Sequence, residues 1–350
     1  MVEIGFLFPP PERDGGWPWL DRERAREEAG FDVERLDLIE KAQQTLFGGE
    51  STSVVIVRHG KLVREWHTFN VGHGMRFDIW SGTKSFTATA WMLALEELVD
   101  VTLDTPAYSL LPDVPLSDPR KAQITLRHLL TMTSGIAGEA AGIAGMATAT
   151  DAGIFEFALG QSANRFGERV GTLVADPGTR WDYSDAAYSH LSLCFAAVMD
   201  REIGEYMEDR VFSKVGMVAA WDPQGGAGFR GPHTNAHTGL HLSARDLARF
   251  GLLVLAGGRW NDEQVIPAAA VAEMTTVSQP HNRAYGLGWW SNSEGVYAPG
   301  LPRDLVALSG FRFNRCYAIP SLDLVVARVG TGPVVPDEHR LVRGVVDAIR

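Results

Sequence analysis

The stretch Phe77–Glu97, FDIWSGTKSFTATAWMLALEE, decides the fold. Ser81 stands three residues before Lys84, at the head of a run that reads as a helix from about Lys84 to Val99. The chain has 32 basic residues, yet its lysines are only Lys41, Lys61, Lys84, Lys121 and Lys214. No other serine has a lysine at the third position after it. On a helix, residues i and i+3 share a face. Ser81 would sit at a helix N-terminus, where free N–H groups favour negative charge. A serine hydroxyl is a poor nucleophile unless a base takes its proton. A lysine serves as that base when burial or neighbouring charge favours its neutral form. Phe77, Ile79, Trp80 and Phe86 supply apolar surroundings. The same pattern also fits an N-cap serine beside a solvated lysine, so the pair alone leaves both readings open.

The 350 residues are 45% hydrophobic, enough for one large domain or two intimately packed ones. The net charge of −11 and the lack of a basic block argue against nucleic acid as a partner. The apolar start of the chain ends at Pro9, which predicts no signal peptide and a cytoplasmic location. No apolar run approaches the ~20 residues of a membrane helix, so no membrane partner is expected. Cys194 and Cys316 read as free buried thiols.

Residues 1–30, rich in Pro, Gly and charge, read as an N-terminal arm, and 31–350 as the main domain. Residues 33–47 have helical apolar spacing. Val54–Val57, a turn at His59-Gly60 and Leu62–Trp66 form a β-hairpin. The proline-rich segment from Asp104 is mostly loop. TLRHLLTM starts a helix that Gly135 ends, and residues 137–180 resist assignment. AYSHLSLCFAAVMDREIG and SARDLARFGLLVLAGG are helical, the second with Ser243 as N-cap, Asp246 completing a capping box and Gly257 at its far end. YGLGWW, DLVALSG, FNRCYAI and DLVVARVG are short β-rich runs before a terminal helix. Strands at both ends and helices between predict an α+β fold. One antiparallel sheet is built from 31–105 and 280–350, and a mostly helical part, 106–279, is inserted.

Four further motifs follow the Ser81–Lys84 pair in order: ITLRHLLTMTSGI (Ile124–Ile136), PGTRWDYSD (Pro177–Asp185), SARDLARFG (Ser243–Gly251) and YGLGWW (Tyr285–Trp290). With them the chain resembles the serine β-lactamase-like superfamily over roughly residues 50 to 330. The match is nearest the class C β-lactamase-related branch of carboxylesterases, D-amino-acid peptidases and nylon-oligomer amidases. The resemblance implies Ser81 as the acylated nucleophile, Lys84 as its base partner, and Tyr183 of YSD as the group that shares the proton and passes it to the leaving group. A phenol near an ammonium has its anion favoured, which makes that pairing chemically reasonable. It also implies an oxyanion site from the N–H groups of Ser81 and Phe311, on an inner strand ALSGF that includes Ser309 and Gly310. No metal or cofactor is implied.

Two residues depart from the family pattern. Asp185 replaces an asparagine. An acid there either holds Lys84 charged, making it a worse base, or simply bonds nearby backbone, the reading preferred from sequence. Leu308 replaces a cation that would hold a substrate carboxylate, a contact worth roughly 1.5–3 kcal/mol. Arg312 and Arg315 lie close enough in sequence to replace it. The chain therefore leans toward an ester or amide substrate that is neutral or differently charged. A β-lactamase or D,D-peptidase, an acyltransferase, and an inactive binding protein of the same fold are the alternatives. His233, His237 and His241 have metal-like spacing, but Pro232, Asn235 and Gly239 break the helix such a site would need. Trp80, Trp181, Tyr285, Trp289 and Trp290 either line an acyl pocket or pack the core. The composition is silent on oligomeric state.

Overall fold

The computed structural model describes residues 7–141, 153–163, 167, 171–224, 231–333 and 337–350. Helix α1 (Val33–Phe47) is capped by the Asp32 side chain, which accepts the Arg35 N–H. Strands β1 (Thr52–Arg58) and β2 (Lys61–Thr68) turn at His59 and Gly60, with φ of 53° and 68°. Such left-handed pairs match the twist of a hairpin. Helices α2 (Thr83–Glu97), α3 (Leu126–Leu130), α4 (Asp185–Met199) and α5 (Ala244–Leu255) occupy the middle of the chain. Strands β3 (Trp290–Ser291), β4 (Val306–Gly310), β5 (Asn314–Ile319) and β6 (Leu324–Gly330) precede helix α6 (Arg340–Asp347).

The strands form one antiparallel sheet in the order β3-β4-β5-β6-β1-β2. The hairpin from the start of the chain thus joins the strands from its end, with Thr52 opposite Gly330 and Val57 opposite Val325. Alternate residues serve two different cores. Val55, Val57, Leu308, Cys316 and Val325 face the helical half, while Val54, Ile56, Tyr317 and Val326 face α1 and α6. Both faces are covered, so the strands read as nearly continuous apolar runs. The fold is the α+β arrangement expected.

Some boundaries differ from the sequence reading. Helix α3 stops at Leu130, well before Gly135, because Met132 turns left-handed (φ 62°). The proline-rich loop contains a short 3₁₀ turn, Ala107–Leu110. Within 137–180 a short helix, Ile154–Ala158, is present, while 142–152, 164–166 and 168–170 lie outside the described residues. Cys194 and Cys316 are both free and buried. Among the described residues no helix is long and apolar enough to cross a membrane.

Candidate active site

Ser81 is positioned by a network that the sequence did not advertise. The Asp78 carboxylate accepts the Trp80 N–H at 2.7 Å, the Gly239 N–H at 3.0 Å and the Thr238 hydroxyl at 3.2 Å. The Ile79 N–H donates to Leu240 O at 2.9 Å. These bonds fasten the approach to the helix onto the 238–242 segment. Trp80 is left-handed, with φ 52°, a conformation that costs an L-residue roughly 1–2 kcal/mol. Ser81 follows in a 3₁₀ turn, Trp80–Gly82, that runs straight into α2. Its hydroxyl therefore lies at the head of a buried helix.

Lys84, one turn on, is 1% exposed. Its Nζ lies 3.1 Å from Ser81 Oγ, 3.1 Å from His237 O and 2.7 Å from Asp185 Oδ1. Two of its protons go to Ser81 Oγ and His237 O, and the Asp185 carboxylate is its ion-pair partner. Nζ also sits 4.8 Å from the centre of the Tyr183 ring and 5.6 Å from that of Tyr188. Of the two readings of Asp185, the structure shows the ion pair with Lys84. Asp185 opens α4 on the side facing α2, and only tertiary packing brings the two together.

Tyr183 enters just before α4, whose N-cap Ser184 accepts the Ala187 N–H at 3.3 Å. Its ring centre lies 4.8 Å from Lys84 Nζ, which places the phenol beside the serine–lysine pair. Serine and phenol thus flank the same buried lysine. Burial, reinforced by the Asp185 carboxylate, pushes the Tyr183 phenol well above its ordinary range, and Ser81 opposes this only in part. The phenol is held neutral, contrary to the expectation that the nearby ammonium would favour its anion. Burial is the largest influence and the Asp185 carboxylate the next. The ring is packed among Trp181 (centroids 6.1 Å apart) and Tyr285 (6.4 Å), and Tyr285 in turn meets Trp290 at 5.1 Å. Trp289 instead packs in the core on Phe250.

The end of β4 abuts the Ser81 turn. A β-carbon on Gly310 would lie 1.9 Å from Ile79 O and 3.1 Å from Gly82 N, so only glycine fits. Leu308 is fully buried, packed towards Gly82. Ser309 alternates to the other face of the strand, opposite Arg315 in the register. Arg315 is 8% exposed, donates to Gly310 O and pairs with Glu338. Arg312 is exposed, with its guanidinium 5.8 Å from the Phe311 ring centre. Phe311 (54% exposed) meets Trp80 (39%) edge-on at 5.4 Å, forming an open aromatic pair beside Ser81.

The histidine-rich segment contributes through its backbone. The carbonyl of His237 accepts from Lys84, and that of Ala236 from Thr87 at 2.7 Å. The three imidazoles are separately engaged: His233 with Glu202 at 2.8 Å, His241 with Asp222 at 2.9 Å, and His237 beside Ser189 at 3.5 Å. Burial pushes His237 down to about 4.

A beta-lactamase family model matches residues 39–348. A curated protein of Bacillus subtilis, named "Putative penicillin-binding protein", is 30% identical over 311 residues, covering 79% of this chain and 70% of its own. Among solved structures, the "Putative 6-aminohexanoate-dimer hydrolase from Bacillus anthracis" superposes with a TM-score of 0.70 at 18% identity, covering 97% of this chain and 88% of the other. A D-stereospecific amidohydrolase from Streptomyces does so with 0.61 at 19% identity, covering 87% and 98%.

Proposed function

This chain belongs to the beta-lactamase family of hydrolases, and from that premise we propose that it cleaves an ester or amide bond of a small molecule through an acyl-enzyme on Ser81. The observation that carries the reading is Lys84 Nζ, buried 3.1 Å from Ser81 Oγ, with the Tyr183 ring centre 4.8 Å from the same nitrogen. Ser81 Oγ attacks the carbonyl carbon while its proton passes to Lys84 in the form of the site that has shed one proton. The N–H groups of Ser81 and Phe311 receive the developing oxyanion. Tyr183, a neutral phenol, donates to the leaving group and is reprotonated from Lys84. A water molecule then enters by the same route, losing its proton to the pair as it attacks the acyl carbon, and Ser81 leaves with a proton restored.

Carboxylate recognition within the buried part of the site is poorly provided for, Arg312 standing exposed beside Phe311. Leu308 offers no charge, and Arg315 is committed to Gly310 O and Glu338. This supports esterase or amidase action on an uncharged acyl group over penicillin-like substrates. An ester and amide panel run beside a chromogenic cephalosporin tests the preference. Turnover should be confined to the panel, and comparable cephalosporin turnover would overturn the assignment. A fluorophosphonate should add its mass to Ser81. The Ser81→Ala variant should lose labelling and all turnover, and activity retained by it would refute the nucleophile.

A further inference from the structure

The loop that carries Phe311 is held by its carbonyls. Gly310 O accepts from Arg315 Nη1, and Phe311 O from Asn314 Nδ2 at 2.7 Å. Arg312 O and Phe313 O both accept from Arg328 Nη1, at 2.8 and 3.0 Å. Asn314 O accepts from Arg315 Nη1 at 3.1 Å. Five consecutive carbonyls are thus captured by three side chains of the two neighbouring strands. All three side chains are buried: Asn314 fully, Arg315 to 8% exposure and Arg328 to 3%. Arg315 and Arg328 stand directly opposite each other in the β5–β6 register.

A plain hairpin between β4 and β5 needs no such apparatus. Taking two guanidinium groups out of water is costly, and well-packed apolar side chains usually serve stability as well or better. The loop itself is also unfavourable, since Arg312 and Phe313 are left-handed, with φ of 57° and 62°. What the arrangement does secure is the orientation of one peptide unit. In a planar trans peptide, the C=O and the following N–H point in opposite directions. Arg315 holds the carbonyl of the Gly310–Phe311 unit, so the Phe311 N–H points the other way. Gly310 lies in contact with the Ser81 turn. A cation on the carbonyl also polarises the amide and strengthens its N–H as a donor.

We infer that Arg315 is a positioning residue for the oxyanion site. It aims and polarises the Phe311 N–H through Gly310 O, while Asn314 and Arg328 lock the rest of the loop and Glu338 anchors the guanidinium. The inference rests on acyl transfer at Ser81 as proposed above. It also gives Arg315 a use other than substrate-carboxylate binding.

The test begins with the wild-type chain and a fluorophosphonate. Absence of label on Ser81 would sink the acyl-enzyme reading itself, a failure distinct from that of the role given to Arg315. With labelling established, kcat and KM for an activated ester are measured for Arg315→Met and Arg315→Lys. Arg249→Met, a buried guanidinium bound to Pro9, Pro10, Val215 and Glu12, is the control for lost stability. We expect Arg315→Met to lower kcat and the labelling rate roughly 10- to 100-fold, less than the loss of an oxyanion donor itself. KM should stay within about threefold, because the contact acts in the transition state. Arg315→Lys should recover part of the loss, and Arg249→Met should lower the melting temperature with kcat intact. A folded Arg315→Met enzyme with kcat within about twofold of wild type would overturn the inference. If Arg315→Met does not fold, Arg315→Lys and Glu338→Gln decide. Reduced kcat at unchanged KM supports it, and wild-type kcat in both overturns it.

Discussion

Asp185 is the residue on which the chemistry turns. Its carboxylate lies 2.7 Å from Nζ of Lys84, the amine that donates to Ser81 Oγ. At such a separation in a largely buried site, the attraction amounts to several kcal/mol before desolvation is counted. Asp185→Asn removes the charge and keeps the shape. We expect kcat for an activated ester to change at least threefold, because the ion pair that holds Lys84 beside Ser81 is lost. An unchanged kcat would show that Asp185 has no part in the chemistry. The sequence named this position and both of its possible uses. It favoured the local one because a helix-opening acid has a ready role in capping, whereas its contact with α2 is made only by packing.

The elements owe their places to a few close approaches. Gly310 lets the end of β4 touch the Ser81 turn, and its replacement by alanine forces β4 away from Ile79 O. Gly310→Ala should therefore cost at least 100-fold in kcat through the displaced oxyanion donor, while near-wild-type kcat would show that the loop tolerates the shift. Helix α4 carries a different consequence. His190 is fully buried within it, 2.7 Å from Ala186 O and 2.9 Å from the Tyr108 hydroxyl, and burial pushes it from 6.5 down to about 3. His237 is pushed to about 4 for the same reason. The fold holds both neutral, so between pH 6.5 and 4 the unfolded chain binds more protons than the native one. Their stabilising contribution is complete above about 6.5 and drains away as the pH falls. Urea midpoints taken from pH 7 to pH 4 should decline, and His190→Gln should flatten that decline. Parallel curves for the two proteins would contradict this.

At the level of the whole molecule, the N-terminal arm is part of the core. Arg249 of α5 is fully buried and donates to Pro9 O at 2.8 Å and Pro10 O at 2.6 Å, with Glu12 at 3.0 Å as its ion-pair partner. Removing residues 1–16 would leave that charge without its partner, an effect of roughly 3–5 kcal/mol. The truncated chain should unfold at clearly lower urea, and an unchanged midpoint would show the arm to be dispensable. Much was legible in the sequence, because helix caps, the β-branched hairpin and the i,i+3 spacing of Ser81 and Lys84 are local: α1 spans the predicted Val33–Phe47, and the hairpin turns at His59-Gly60. The loss of the cation at Leu308 was equally plain. By itself the sequence determined the elements, the antiparallel α+β class and the residue types that meet at Ser81. The tertiary structure alone decided that Asp185 reaches Lys84, that the backbone of a histidine-rich loop receives one of its protons, and that arginines on two strands hold the carbonyls behind Phe311. Those contacts join residues far apart in the chain, and their strength depends on burial, which no local pattern of residues encodes.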